Sequence, residues 1–151
     1  NDNELMAYVH IAHDCVLRDH IIIANLGTLA GHVEVEEQVI IGGLSAVHKF
    51  VKIGKHAIIG GCSKVTQDIV PFSMSDGHPA RLYGINNRGL MRSGKTVEER
   101  LAVKKAFHIL LKSEYSIPHV LSLIQAQVKP ITEEIKYLIV FLEGTKRGIA
   151  R

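Results

Sequence analysis

Tryptophan is missing, and only four tyrosines and four phenylalanines occur among 151 residues. An aromatic platform for stacking nucleic-acid bases is therefore not expected. Neither sign of charge is in large excess, with 18 Lys and Arg against 15 Asp and Glu and a formal net charge of +3. Together with the lack of a basic run, this excludes a nucleic-acid surface, although a mild positive balance suits an anionic ligand or an acidic partner. The two cysteines, Cys15 and Cys62, sit in no metal-binding pattern. They exclude a disulfide scaffold and fit the reduced thiols of a cytoplasmic protein. No apolar run is long enough to span a bilayer, so no transmembrane helix is expected, and the sequence shows no signal-peptide pattern.

What is there is a period of six. The residues Leu5, Ile11, Leu17, Ile23, Leu29, Val35, Ile41, Val47, Ile53, Ile59 and Val65 open eleven successive hexads, and all are aliphatic. Ile, Leu and Val make up 46 of the 151 residues, so chance gives such a run on the order of once in a million. The fifth positions, from Val9 and Cys15 through Ile69, are mostly small or β-branched. No helix has this period, and no hairpin sheet repeats it without turn signals. The pattern reads as a parallel β-helix with one short strand per hexad.

Three hexads to a triangular coil place residues 18 apart above one another, with coils about 4.8 Å apart. The solenoid covers residues 1–70. It begins without a capping repeat, so further coils are expected upstream of Asn1. Pro71, which cannot donate to a ladder, ends the frame. Residues 71–95, with Gly77, Pro79, Gly84, Gly89 and Gly94, read as an ordered loop region. Residues 96–151 form a small helical domain. Thr96-x-x-Glu99 is a capping box, followed by the stripe Val97, Leu101, Ala106, Phe107, Leu110 and Leu111. Ser116 with Pro118 opens a second helix. Thr132 opens a third that ends at Gly144.

Six of nine histidines fall inside the repeat: His10, His13, His20, His32, His48 and His56. His13 is at the third position of its hexad and faces out. Gly31 lies one full coil after His13, and Asp14 and His32 stand in the same relation. One patch therefore gathers two imidazoles, a carboxylate and a glycine backbone. An imidazole can take a hydroxyl proton, a glycine N–H can donate to a developing oxyanion, and a carboxylate can orient the base. Those are the parts of acyl transfer to an alcohol. Outward histidines on a solenoid are more often solvated surface residues. A metal site is not expected, because no carboxylate or cysteine completes a set with His10-x-x-His13 at familiar spacing.

At these residues the sequence resembles the UDP-N-acetylglucosamine O-acyltransferase family of lipid A synthesis. The matching segments are His10-Ile-Ala-His13-Asp14-Cys15, Ala30-Gly31-His32, Ile41 through His48, Gly60-Gly-Cys-Ser63, and Gly84-Ile-Asn86 with Gly89-Leu90, Arg92 and Gly94. The resemblance implies a homotrimeric left-handed parallel β-helix followed by a small C-terminal helical domain. It implies that His13 is the general base, Asp14 its acidic partner and Gly31 the oxyanion donor. His10, His32 and His48 would contact substrate, with Lys49 beside them in place of the family's glutamine, and Asn86 and Arg92 would contact the nucleotide. The implied partners are acyl carrier protein and UDP-N-acetylglucosamine, without a cofactor, in the cytoplasm. Gly61 falls where a family residue measures the acyl chain, and a glycine there implies a long chain, about fourteen carbons. Arg88 and Ser93 depart from the family pattern near the nucleotide.

Two other enzymes could use the same repeat. The later N-acyltransferase of the same pathway is disfavoured by Asp14-Cys15 and by the segment after Gly84, and a zinc hydratase lacks a recognisable ligand set. A non-catalytic scaffold is a third alternative. The expected site lies between subunits, with His13 and Gly31 from one chain. Because its offset of 35 from His13 is not a multiple of 18, His48 is expected from the neighbour.

Overall fold

The structure is a computed structural model and describes residues 1–112 and 114–151. Eleven two-residue strands recur at the period of the hexads: β1 (Glu4–Leu5), β2 (His10–Ile11), β3 (Val16–Leu17), β4 (Ile22–Ile23), β5 (Thr28–Leu29), β6 (Glu34–Val35), β7 (Ile40–Ile41), β8 (Ala46–Val47), β9 (Lys52–Ile53), β10 (Ile58–Ile59) and β11 (Lys64–Val65). They stack in parallel in three faces. The first face is β1-β4-β7-β10, the second β2-β5-β8-β11 and the third β3-β6-β9. Each strand pairs with the one a full coil later, as in Leu5 with Ile23 and Ile11 with Leu29. The result is a left-handed parallel β-helix of about four turns followed by a few helices.

The second residue of each strand points inward. From Ile23 to Val65 these side chains are at most 3% exposed. Between them lie Ile21, Val33, Val39, Val51, Ala57 and Ile69, also fully buried. At the corner joining the first and second faces the inner position is held by Gly27, Ser45 and Ser63, and the Ser45 and Ser63 hydroxyls both donate to the Gly60 carbonyl.

Each corner turns on a residue with positive φ. From Asp2 to Cys62 every sixth residue has φ between 55° and 65°, and none of them is glycine. Such a residue carries a cost of roughly 1–2 kcal/mol for an L side chain. From His20 to Cys62 each donates an inter-coil hydrogen bond. The His32 N–H donates to the His13 carbonyl at 3.0 Å, and the Phe50 N–H to the Gly31 carbonyl at 3.1 Å. Leu26, Gln38, Leu44, His56 and Cys62 repeat that step.

The stretch 71–95, expected as loop, carries an antiparallel hairpin and a short helix. The hairpin is β12 (Ser73–Gly77) and β13 (Ala80–Ile85), and the helix is α1 (Asn87–Arg92). The inward positions of β12, Ser73 and Ser75, are buried hydroxyls, and β13 turns only Ala80 and Leu82 inward against exposed Arg81 and Tyr83, too short an apolar alternation to read as a strand. β12 continues the first face beyond β10. The C-terminal residues complete the closure of this end: Asp68 N–H donates to Gly148, and Ala150 N–H returns to Asp68.

Three helices pack beneath. The capping box of Thr96 and Glu99 starts α2 (Val97–Leu110), Ser116 caps α3 (Ile117–Gln127) and Thr132 caps α4 (Glu133–Gly144). The buried side of α2 is Ala102, Val103, Ala106, Phe107, Ile109 and Leu110. Val97, Leu101 and Leu111, expected in that stripe, are 63%, 51% and 46% exposed. They lie toward the other side of the helix, where α3 and α4 do not reach. An ion pair to the buried Glu134, Lys95 Nζ to Glu134 Oε1 at 2.6 Å, ties the segment after α1 to α4. Burial alone would push the Glu134 carboxyl up, but Lys95 and the backbone hold it below the usual range.

His48 follows β8, and the Ala30 N–H donates to the Val47 carbonyl. That register stands His48 over Ala30, one residue before Gly31. The separation of 35 from His13 is therefore two coils less one residue, which puts His48 beside the same corner and not in a remote column.

Candidate active site

The corner between the second and third faces stacks Asp14, His32 and Phe50, all with positive φ. The residues just before them, His13, Gly31 and Lys49, form the adjoining column. His13 Nδ1 lies 3.0 Å from Asp14 Oδ2. A carboxylate only accepts, so that nitrogen carries the proton and Nε2 keeps its lone pair. The His13 hydrogen bond, and then the charge of the His32 ring, hold the Asp14 carboxyl below its ordinary range. It therefore stays ionised through the mildly acidic range in which imidazoles titrate.

His32 completes the cluster. Its Nε2 lies 3.8 Å from the same Asp14 oxygen. Its ring meets His13 edge-on at 5.0 Å and stacks on Phe50 at 4.6 Å with 5° between planes. Gly31 is buried beneath the His13 imidazole. A Cβ built on Gly31 would lie 2.7 Å from His13 Cε1 and Nε2. The Gly31 N–H finds no acceptor among the described residues. The imidazole and an amide donor are thus side by side, and the missing Cβ is what allows it. His10 faces out from β2 and His48 from the end of β8, both on the second face and both exposed. Lys49 is exposed above Gly31.

Gly61 is different. Its φ is not positive, and a Cβ there would meet only Gly43 backbone, the nearest atom at 3.3 Å. Neither turn geometry nor a neighbouring side chain demands a glycine at that position.

Asn86 and Arg92 lie at the opposite corner, in a pocket of about 530 Å³ that also takes in Gln38, Ile58, His56 and Arg88. Arg92 is exposed, whereas Asn86 is 6% exposed. The Asn86 amide donates to the His56 carbonyl at 2.8 Å and accepts from Gly89 N–H at 2.9 Å, capping α1. Its position holds the pocket wall. His56 is not singled out by the sequence, yet it sits at this pocket's floor. Burial pushes its imidazole below the ordinary range, and Lys55 and Lys95 add to that. The Ser93 hydroxyl donates to Gly89 and lies 3.4 Å from His56 Nε2. Only the place of His56 one coil beyond Gln38 could have marked it.

Comparison with known proteins gives one consistent answer. Residues 68–150 match the family model described as "Udp N-acetylglucosamine O-acyltransferase; Domain 2". The chain is 51% identical over 151 residues to the acyl-[acyl-carrier-protein]--UDP-N-acetylglucosamine O-acyltransferase of Thermodesulfovibrio yellowstonii, spanning all of this chain and 58% of that protein. It is 42% identical over 154 residues to the like-named protein of Herminiimonas arsenicoxydans, again all of this chain and 59% of that one. Among solved structures, LpxA from Acinetobacter baumannii superposes with TM-score 0.94 at 38% identity, over 99% of this chain and 58% of that one. The UDP-N-acetylglucosamine acyltransferase from Campylobacter jejuni gives 0.88 at 38% identity, over 99% and 57%. The chain thus spans somewhat over half the length of the relatives it matches.

Replacing Gly31 by Ala should push the His13 ring off its seat and break its contact with Asp14. NMR of the His13 ring protons should show the displacement, and turnover should fall by about 10²-fold, the effect of a misplaced catalytic group. Thermal unfolding should be nearly unchanged, because the Gly31 backbone is in an ordinary region. An undisturbed ring with normal turnover would remove the close packing from the argument.

Proposed function

We propose, from the premise that this chain belongs to the UDP-N-acetylglucosamine O-acyltransferase family, that it carries the acyl-transfer centre of such an enzyme. The reaction moves an acyl group, hydroxylated or plain, from acyl carrier protein to the 3-hydroxyl of UDP-N-acetylglucosamine, the first step of lipid A synthesis. The observation that carries this reading is the His13 imidazole, fixed at Nδ1 by Asp14 and seated on Gly31.

In this mechanism His13 Nε2 takes the sugar hydroxyl proton as the oxygen attacks the thioester carbonyl. The carbonyl electrons move to oxygen, and the Gly31 N–H donates to that oxyanion. Collapse expels the carrier thiolate, and the imidazolium returns its proton to sulfur. Asp14 holds the ring in the required tautomer and stabilises the imidazolium. His10, His32, His48 and Lys49 border the substrate. A related N-acyltransferase or a hydratase on this solenoid is not favoured by the family match. We place the activity in the cytoplasm, in keeping with two free thiols. Among the described residues no helix is long and apolar enough to cross a membrane.

The site is completed by a second copy in a homotrimer. The corner between the first and second faces carries Tyr8, Leu26 and Leu44, which are 84%, 47% and 62% exposed. Ile40 stands beside them on the first face, 37% exposed. An apolar column of this kind marks a contact surface. Packing around it brings the second face of one chain, with His13 at its far edge, against the first face of the next. The far edge of that face carries Arg88, Arg92 and His56. The nucleotide pocket of one chain then faces the base of another.

Three outcomes test this reading. In the complete protein, His13→Ala should lower turnover by about 10² to 10⁴ without loss of fold, since the side chain faces out; near-normal turnover would remove His13 from the mechanism. Leu26→Asp with Leu44→Asp should dissociate the trimer in light scattering, and a trimer that survives would move the interface elsewhere. Gly61→Met should shift preference among carriers bearing ten-, twelve- and fourteen-carbon chains toward the shorter ones, at about 0.8 kcal/mol for each excluded methylene. An unchanged ranking would show that position 61 does not border the acyl groove.

A further inference from the structure

We propose that His13, Asp14 and His32 form a binding site for a divalent transition-metal ion of the zinc class, and that the bound ion switches off the base. The effect on turnover rests on the reading of His13 as base, whereas the binding does not.

The geometry is that of a tridentate set. One ligand-type atom from each of the three residues lies within 4.8 Å of the other two. Asp14 Oδ2 stands 3.0 Å from His13 Nδ1 and 3.8 Å from His32 Nε2. Zinc bonds to imidazole and carboxylate are about 2.0–2.2 Å, which puts ligand atoms of a tetrahedral centre about 3.4 Å apart. The two separations from Asp14 fall on either side of that value, each within about half an ångström of it, and the two imidazole nitrogens lie within 4.8 Å of each other. The Phe50 ring, stacked on His32 at 4.6 Å, fixes one imidazole plane. The corner backbone fixes Asp14. All three side chains are exposed, so an ion has access from solvent. Two neutral imidazoles and one carboxylate suit the late first-row divalent ions and leave one position for water.

The ion and the catalytic proton compete for one nitrogen. Without metal, His13 keeps its proton on Nδ1 for Asp14. A metal on Nδ1 leaves the ring neutral only if the proton sits on Nε2, and the proton moves there through solvent with no net release. Nε2 then has no lone pair and cannot accept a hydroxyl proton. The set is invisible in local sequence spacing because its third member, His32, comes from the coil after Asp14.

The test is calorimetric titration of the chelator-treated complete protein with Zn²⁺, alongside turnover. One ion should bind per chain. Asp14→Asn and His32→Gln should each weaken binding at least about tenfold, while His10→Gln and His48→Gln, on the same face but outside the set, should leave it unchanged. Should either of the first two variants fail to melt cooperatively, His13→Gln serves in its place. Zn²⁺ should inhibit turnover, a chelator should restore it, and binding should weaken in acid as the imidazoles protonate. Absence of saturable binding, or equal binding by the Asp14→Asn and His32→Gln variants, overturns the site and leaves the assignment of His13 as base untouched. Binding that depends on the set without loss of turnover overturns the switch and counts against His13 as the base.

Discussion

The structure depends on one repeated hydrogen bond, donated by each corner residue from His20 to Cys62 to the carbonyl of the residue just before the corner one coil earlier. His32 to His13, Phe50 to Gly31 and Leu44 to Asn25 are instances, at 3.0 to 3.1 Å. The corner needs a positive φ, which β-carbon sterics oppose, and in this chain Tyr, Leu, His, Gln and Phe all adopt it. The inter-coil bond, together with the aliphatic stack inside, offsets that strain. A solenoid has no other way to turn through three faces with strands this short. Once the turn is accepted, everything on a corner is presented outward in a column, at the spacing of a sheet.

The candidate site is a direct consequence. Asp14, His32 and Phe50 are three successive corner residues, so their side chains stack whether or not chemistry requires it. The sequence decides only what is stacked. A carboxylate, an imidazole and a phenyl ring in that order give a charged anchor and a rigid second imidazole. The preceding column supplies the His13 imidazole and the Gly31 amide. Strain held in place by a surrounding scaffold is what allows a functional group to be positioned on a surface this exposed.

Much of this is legible in the residues, and what is not has identifiable causes. The period of six marks the inward positions, and its multiple of 18 places Gly31 against His13. Capping residues at 96, 116 and 132 mark helix starts because hydroxyl-to-amide bonds are local. The hairpin at 73–85 escapes because its first strand buries serines, which carry no hydrophobic signal, and its second buries only Ala80 and Leu82. Asn86 reads as a nucleotide contact, yet its amide is committed to His56 and Gly89, and the first of these pairings spans too much chain for a local pattern to show. The position of His48 is missed when a separation of 35 is tested against the coil length alone, whereas a residue one step off the column is still its neighbour. The exposed side of α2 cannot be foreseen, since which helix face is covered depends on where α3 and α4 lie.

Two glycines of the solenoid show how the same residue type answers different demands. At Gly31 the space a Cβ would fill is occupied by the chain itself, by the His13 ring at 2.7 Å. Glycine there serves a fixed internal arrangement, and any larger residue must displace the base. At Gly61 the backbone is ordinary, and the nearest atom a Cβ would meet is the Gly43 carbonyl oxygen at 3.3 Å. No side chain fills that space, and only the Gly43 backbone crowds it. Gly61 lies on the corner between the first and second faces, whereas His13 lies on the corner between the second and third, so along one chain a group passing from one to the other must cross the second face. The first glycine seats the His13 ring, and the second leaves an opening at a different corner of the solenoid.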